Sequence, residues 1–390
     1  MAHVETESWG KRLVQSIKGV LFGVVLFLVS FPLLWWNEGR ALQTTKSLSE
    51  GASTVVPVTK LDVANEGKLV HFSGQARTDE WLTDPELGVN VAGLRLSRRV
   101  EMYQWYEKSE SKENPGGSKT TVFTYDKKWS DSVIDSSSFK EAGHTNPPQI
   151  RVKPIDVAAK RAKLGDFDLS DAIIAAHVDR WETLPASLTS EVVAKKLPSD
   201  LRGKLKPKGD ALFIGDDPTI PTVGDLRMTY HLVSSPLTMT IVAKQTGSGF
   251  APYAANAGDD LLLTAMEAKD AGAMFQAAEA ANTTLTWILR GVGWFAMTLG
   301  LFLVLRPVAM LASFVPLAGR FVSFGAFVLS ASVAAVLSLI TIAAAWIAYR
   351  PFLGSLILVG AFGAGFVTVS MMRRARRGTR VAREGTRSSS

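Results

Sequence analysis

The 390-residue chain contains no cysteine, which rules out disulfides, a thiolate nucleophile and thiolate metal ligands. Histidine is scarce: His3, His71, His144, His177 and His231 lie far apart, with no HExxH or paired-ligand spacing, so nothing local supports a metal site. The phosphate-cradling GxxxxGKS/T loop and the GxSxG elbow of serine hydrolases are missing, and Gly247-Ser248-Gly249 lacks the strand, helix and downstream acid of a dinucleotide site. Charge is absent from four stretches: Gly19 to Trp36, Gly291 to Leu305, Phe321 to Tyr349 and Phe352 to Met372.

Those charge-free stretches are rich in apolar residues. Each approaches or exceeds the roughly 18 to 20 residues needed to cross about 30 Å of hydrocarbon. Hydrophobic residues make up 47% of the chain and charged residues only 20%, with a mean hydropathy of +0.13, because apolar residues are gathered into blocks. The net charge of +7 arises largely from a tail holding Arg373, Arg374, Arg376, Arg377, Arg380, Arg383 and Arg387 against Glu384. The remainder is close to neutral and offers no basic face for nucleic acid.

The first run is read as an uncleaved anchor. It is longer than a signal core, and Asn37-Glu38-Gly39-Arg40 stands where a small-residue cleavage site would be. Positive juxtamembrane segments resist translocation, so the arginine tail places the C-terminus in the cytoplasm, and four crossings place the N-terminus there too. The expected plan is a cytoplasmic segment 1–18, spans at 19–36, 287–305, 321–349 and 352–372, an extracytoplasmic domain over 37–286, a cytoplasmic or interfacial connection 306–320, and a basic tail 373–390. Phe321 to Tyr349 exceeds one span and should tilt or project, and the semi-apolar Val308 to Gly319 should lie in the interface.

Within the runs no acid, base or histidine occurs, which disfavours a transporter or channel. Small residues recur at packing intervals instead: Gly19 and Gly23, Ala296 and Gly300, Gly360 and Ala364, Ala361 and Gly365. These are read first as packing the helices of one chain, and second as a basis for self-association. Trp35, Trp36, Trp294, Trp346 and Tyr349 stand near run ends, as interfacial anchors do.

The polar region predicts an α+β domain. Ala41, Leu42, Leu48 and Ala52 extend the first span as an amphipathic helix. Strands are expected at Lys68 to Ala76, Leu94 to Lys108, Lys119 to Trp129, Ala211 to Ile214, Asp225 to Val233 and Leu237 to Gln245. Leu94, Leu96, Val100, Met102, Gln104 and Tyr106 share one face of the second strand, and Arg95, Arg99, Glu101, Tyr103 and Trp105 the other. Asn114-Pro115-Gly116-Gly117 supplies a turn, so a long hairpin follows. Helices are expected at Ile155 to Lys163, at Leu169 to Trp181 with Ser170 as cap, and at Leu261 to Thr286 leading into the second span.

Six segments then carry a resemblance: Asn37-Glu38-Gly39-Arg40-Ala41-Leu42, Asn65-Glu66-Gly67-Lys68-Leu69-Val70-His71, Val100-Glu101-Met102-Tyr103-Gln104-Trp105, Val223-Gly224-Asp225-Leu226-Arg227, Gly293-Trp294 with Ala296-Met297 and Gly300-Leu301, and Tyr349-Arg350-Pro351. In this order, over Gly19 to Pro351, the chain resembles the transmembrane protein 43 (LUMA) family. The resemblance implies four spans with a large luminal domain between the first two. In animals it implies residence in the endoplasmic reticulum and inner nuclear membrane, lamins and emerin as partners, a role in membrane organisation, and no enzyme activity or cofactor. The cysteine-free chain and arginine tail suggest a bacterial relative, hence an inner membrane with a periplasmic domain.

Each motif has a physical reading of its own. Glu38 and Arg40 sit where a helix leaves the bilayer, as do Trp35, Trp36 and Arg350; an interfacial arginine with a local salt bridge or cap is the simplest use. Glu101, Tyr103 and Trp105 make either a cross-strand ladder or a partner contact, since tyrosine and tryptophan favour interfaces. Gly224-Asp225 reads as a turn. The tail's Arg373, Arg374, Arg376 and Arg377 serve as a topology signal and as a site for anionic lipid. The expected function is a non-enzymatic membrane scaffold that associates with itself or with other membrane proteins. The alternative is a membrane-anchored enzyme or ligand-binding module acting through its extracytoplasmic domain.

Overall fold

The computed structural model describes residues 3–114, 118–312 and 318–350. The expected fourth span, Gly360 and Ala364, the arginine tail and the glycines of the hairpin turn lie outside the described residues. The chain separates into a sheet-rich unit, made mainly of residues 3–14 and 43–282, and a helical unit made of residues 15–42, 283–312 and 319–350. Among the described residues, three helices are long and apolar enough to cross a membrane.

Strand β1 (His3–Glu7) opens the chain, and Ser8 caps helix α1 (Trp9–Thr54) by accepting from the Lys11 amide. At 1.5 Å per residue α1 is about 69 Å long. It carries Pro32 in its interior, where one backbone hydrogen bond is lost. The expected amphipathic continuation is part of this helix, with Leu48 buried against Phe275 and Leu261 in a small apolar cluster. Gly51 allows that contact, because a Cβ there would stand 2.6 Å from Leu261 Cδ1.

The chain then runs through β2 (Val56–Pro57), β3 (Leu69–Arg77), β4 (Arg95–Glu113), β5 (Lys119–Ser130), β6 (Ile155–Ala158), β7 (Ala162–Leu164), β8 (Phe167–Leu169), helix α2 (Asp171–His177), β9 (Glu182–Leu184) and helix α3 (Ala186–Lys196). It continues through β10 (Leu205–Lys208), β11 (Ala211–Ile214), β12 (Leu226–Val233), β13 (Leu237–Thr246), β14 (Gly249–Ala251) and β15 (Leu263–Ala265), and closes with helices α4 (Ala271–Ala312) and α5 (Ala318–Tyr349).

Two sheets result. The first runs β1-β5-β4-β12-β11-β10, with β6 added to β4 and β9 to β12; the second runs β15-β13-β14-β8-β7-β3-β2, with β13 also paired to β3. The hairpin β4–β5 stays in register from Met102 opposite Ser130 to Glu113 opposite Lys119. Period-two alternation puts Leu96, Val100, Met102 and Gln104 in the core and Glu101, Tyr103 and Trp105 on the half-buried opposite face. Gly224 holds a φ of +100° in the turn before β12, a conformation that favours glycine.

Two expected helices are corrected. Ile155 to Lys163 forms β6 and β7, because Ile155 and Val157 alternate against Arg98 and Leu96 across the β4 ladder, and this pairing outweighs a spacing compatible with a helix. The start of the expected helix at Leu261 to Thr286 is also extended: Leu261 pairs with Tyr253, and Leu263 to Ala265 with β13 at Thr240 to Val242. Helix α4 begins only after Asp270, whose carboxylate accepts from the Ala273 amide, a side-chain cap at the start of the alanine-rich stretch. The expected cap at Ser170 does form, its hydroxyl accepting from Ile173 N at 3.3 Å.

The domain core holds an ion pair. Arg98 and Asp84 are both fully buried. Arg98 Nη1 donates to Asp84 Oδ2 at 2.6 Å, and the Tyr230 hydroxyl donates to the same oxygen at 2.6 Å. The other carboxylate oxygen accepts from the amides of Glu86 and Leu87 at 2.9 and 3.0 Å. Arg98 also reaches the Lys153 carbonyl and Glu86. Burial, then the Asp84 carboxylate, push the Tyr230 phenol well above its ordinary range, so it stays a neutral donor.

In the helical unit the apolar windows of α1, α4 and α5 are only 17%, 22% and 17% buried, and Leu21, Phe22, Leu28, Phe295, Leu329 and Leu339 are exposed. Apolar surface on this scale calls for lipid around it. Gly23 and Gly300 pack backbone to backbone: a Cβ on Gly23 would stand 2.8 Å from the Gly300 carbonyl oxygen. Gly293 instead makes room for the Leu34 side chain, and Ala296 is half-buried beside it. Among the described residues Gly19 meets nothing within 4 Å, whereas Gly23 is a packing position.

Candidate functional site

Among the described residues of the helical unit, several polar side chains gather where the apolar stretches of α1, α4 and α5 end. Asn37, Glu38 and Arg40 of α1, Thr286 and Arg290 of α4, and Trp346 of α5 form one network. Glu38 is 5% exposed. Its Oε1 accepts from Arg290 Nε at 2.7 Å and its Oε2 from Arg290 Nη2 at 2.8 Å, the forked geometry that suits a guanidinium. Trp346 Nε1 donates to the same Oε2 at 2.9 Å. Beside this pair, Asn37 Nδ2 donates to the Thr286 carbonyl at 3.1 Å, and Arg40 Nη2 donates to the Thr286 hydroxyl at 3.0 Å.

Aromatic rings close the network. The Arg290 guanidinium lies 4.7 Å from the Trp287 ring centroid, and the Arg350 guanidinium 4.4 Å from that of Trp346. Tyr349 packs on Gly39, where a Cβ would stand 2.6 Å from the ring, and its ring centroid is 5.9 Å from that of Trp35. Trp36 is exposed. A charged pair at the end of a lipid-facing helix is tolerable only when its hydrogen-bonding capacity is met by neighbours. Here the neighbours come from all three helices, so the arrangement fixes their mutual register.

A model of the transmembrane protein 43 family matches residues 102–351. The transmembrane protein 43 of Homo sapiens is 36% identical over 366 residues, covering 90% of this chain and 89% of its own. The chain belongs to the transmembrane protein 43 family. The homologue from Mus musculus is 35% identical with 89% and 88% covered, and that of Drosophila melanogaster 29% identical with 87% and 92% covered. No solved structure matches the chain. The protein is thus an integral membrane protein of this family, with apolar helices on either side of a mixed α+β domain.

Of the residues singled out by sequence, Glu38 and Arg40 enter this network, but not as a local pair. The partner of Glu38 is Arg290, and Arg40 bonds Asn37 and Thr286. Arg290 itself escaped notice because it sits one residue before a charge-free run and reads as a flank. Trp346, expected only as an anchor, is also a hydrogen-bond donor.

The other group, Glu101, Tyr103 and Trp105, forms a ladder in the sheet-rich unit. Glu101 pairs with Arg227 at 2.7 Å. The Arg227 guanidinium lies 4.8 Å from the Trp129 ring centroid, and Tyr103 packs on Trp129 at 5.1 Å. Trp105 has Lys127 over its face at 4.5 Å and the His144 ring edge-on at 4.6 Å. Among the described residues no group of three or more histidine, cysteine, aspartate or glutamate side chains could hold a metal.

Proposed function

We propose that the protein is a non-enzymatic organiser in the membrane, a rigid helical platform carrying a domain that holds other membrane proteins or further copies of itself. The observation that carries this reading is the network at Glu38, Arg290 and Trp346, whose groups bind one another across three helices and so serve cohesion. The half-buried row of Glu101, Tyr103 and Trp105 supplies a contact face rich in residue types that favour interfaces. The domain lies outside the cytoplasm and the arginine tail meets anionic lipid inside, by the rule that positive flanks stay in the cytoplasm.

The test is purification of the full chain in native nanodiscs, with the particle mass and the co-purifying proteins measured together. A defined oligomer or a stoichiometric partner is expected; a lone monomer would count against the organiser reading.

A ligand-binding module is the second reading, and one feature favours it. A cleft of about 540 Å³ opens between Lys160, Arg161, Lys163, Ser170, Ser248 and Phe250. Ligand retained through purification and lost on changing Lys160 and Arg161 would move the balance to this reading.

A further inference from the structure

Strand β1 lies just before the first apolar helix, and β5, its partner, lies far beyond that helix. The two pair antiparallel from His3 opposite Phe123 to Glu7 opposite Lys119. The match includes side chains: Glu5 reaches Lys140 Nζ at 3.5 Å, the His3 and Phe123 ring centroids are 6.0 Å apart, and the Thr6 and Thr120 hydroxyls are 3.4 Å apart. Beyond Phe123, among the described residues, β5 pairs with β4 alone.

A helix that crosses a bilayer once leaves its flanks in different compartments. In one chain, β1 and β5 can therefore pair only while α1 has not crossed. Once it has, the edge of β5 at Lys119 to Phe123 loses this occupant, and a second copy cannot replace it, because that copy's residues 3–7 lie on the far side as well. An open strand edge presents unpaired amides and carbonyls and is a ready template for another chain.

We propose that in the membrane-inserted protein the edge of β5 is a docking site for an extended segment of a different polypeptide on the domain side, held by strand addition. The seated β1 specifies its chemistry: a short strand with acidic side chains at alternate positions, as at Glu5, which meets Lys140, and Glu7, which stands opposite Lys119 in the ladder, and an aromatic or imidazole ring against Phe123. The main chain supplies affinity and the alternate acids select the partner. This adds to the organiser reading a stated mode of capture, and peptide binding tests it without any co-purifying protein.

The experiment uses the full chain in proteoliposomes and nanodiscs. An N-terminal protease-cleavable tag reports on which side of the bilayer the N-terminus lies relative to the domain. A labelled synthetic peptide of residues 3–8 is then titrated onto the domain side. Expected are a tag on the side opposite the domain, saturable binding of the peptide, and about tenfold weaker binding of the peptide carrying Glu5→Lys and Glu7→Lys. Because the change is made in the peptide, the folding of the protein is unaffected. A tag on the domain side would mean that the chain keeps its own strand on the edge and would overturn the proposal. So would an opposite-side tag without peptide binding, or equal binding of the two peptides.

Discussion

Glu38 and Arg290 stand 252 positions apart in sequence and meet through two parallel hydrogen bonds of 2.7 and 2.8 Å. Each residue borders an apolar stretch that is exposed along most of its length, inside a helix that continues past it. Neither charge could stay at such a position alone, so the pair acts as a unit.

Removing one partner should therefore cost more than the pair contributes. Arg290→Ala or Glu38→Ala leaves a buried charge uncompensated, with an expected loss of about 3–5 kcal/mol. Trp346→Phe removes one hydrogen bond to a charged acceptor and should cost about 1.5–3 kcal/mol. Thermal denaturation in detergent, read from helical circular dichroism, orders the three variants; equal melting of Arg290→Ala and wild type would remove the pair from the cohesion of the helices.

The glycine contacts predict an asymmetry. Gly23→Leu or Gly300→Leu must force two backbones apart, at about 1–3 kcal/mol of overpacking strain or more, whereas Gly19→Leu, which meets no neighbour among the described residues, should be neutral. The yield of folded protein after extraction distinguishes them.

The buried hub of the domain should be equally intolerant of partial change. Asp84→Ala leaves Arg98 charged and unpaired inside the core and should destabilise by about 3–5 kcal/mol; Tyr230→Phe removes only a donor and should cost less. Denaturant unfolding followed by tryptophan fluorescence provides the comparison.

His231 provides a pH dependence. Burial, then the positive charge of Arg99, lower its pKa below the ordinary histidine value. The unfolded chain then binds a proton more readily than the folded one. This contribution to stability is fully present above the unfolded pKa, about 6.5, and is lost as pH falls through that value toward the lowered folded one. Melting temperature should decline between pH 7 and pH 5 more steeply in the wild type than in His231→Gln. Parallel profiles would show that another group controls the slope.

Tyr103→Ala with Trp105→Ala should weaken partner capture in pull-down from nanodiscs while leaving the circular dichroism of the domain unchanged. Unfolding, or unaltered capture, would return both side chains to the packing around Trp129, Lys127 and His144.

The sequence is most legible where one physical period dominates. Leu96, Val100, Met102 and Gln104 fall at period two and mark the core face of β4; Lys119 to Trp129 reads as its partner because turn residues separate the two. Arg98 lies on that same buried face and was passed over, since a charge in an apolar row looks like an exception until Asp84 and Tyr230 are seen around it. The segment from Ile155 to Lys163 fits helical and strand spacing alike, and only the neighbouring Leu96 and Arg98 decide between them. At the polar network, Glu38 could be recognised as interfacial from its place after Trp36. Its partner could not, because a contact across 252 positions leaves no local trace.

The Asp84 carboxylate accepts from Arg98 of β4, from Tyr230 of β12 and from the amides of Glu86 and Leu87 in its own turn, so two strands and a turn end on two oxygen atoms. Neither Asp84 nor Arg98 can leave without stranding the other's charge in an apolar interior. Opening of the core is therefore concerted. A protease acting on this domain should meet either the closed form or the fully opened one, and digestion should run from intact chain to small fragments without a stable half-domain between them.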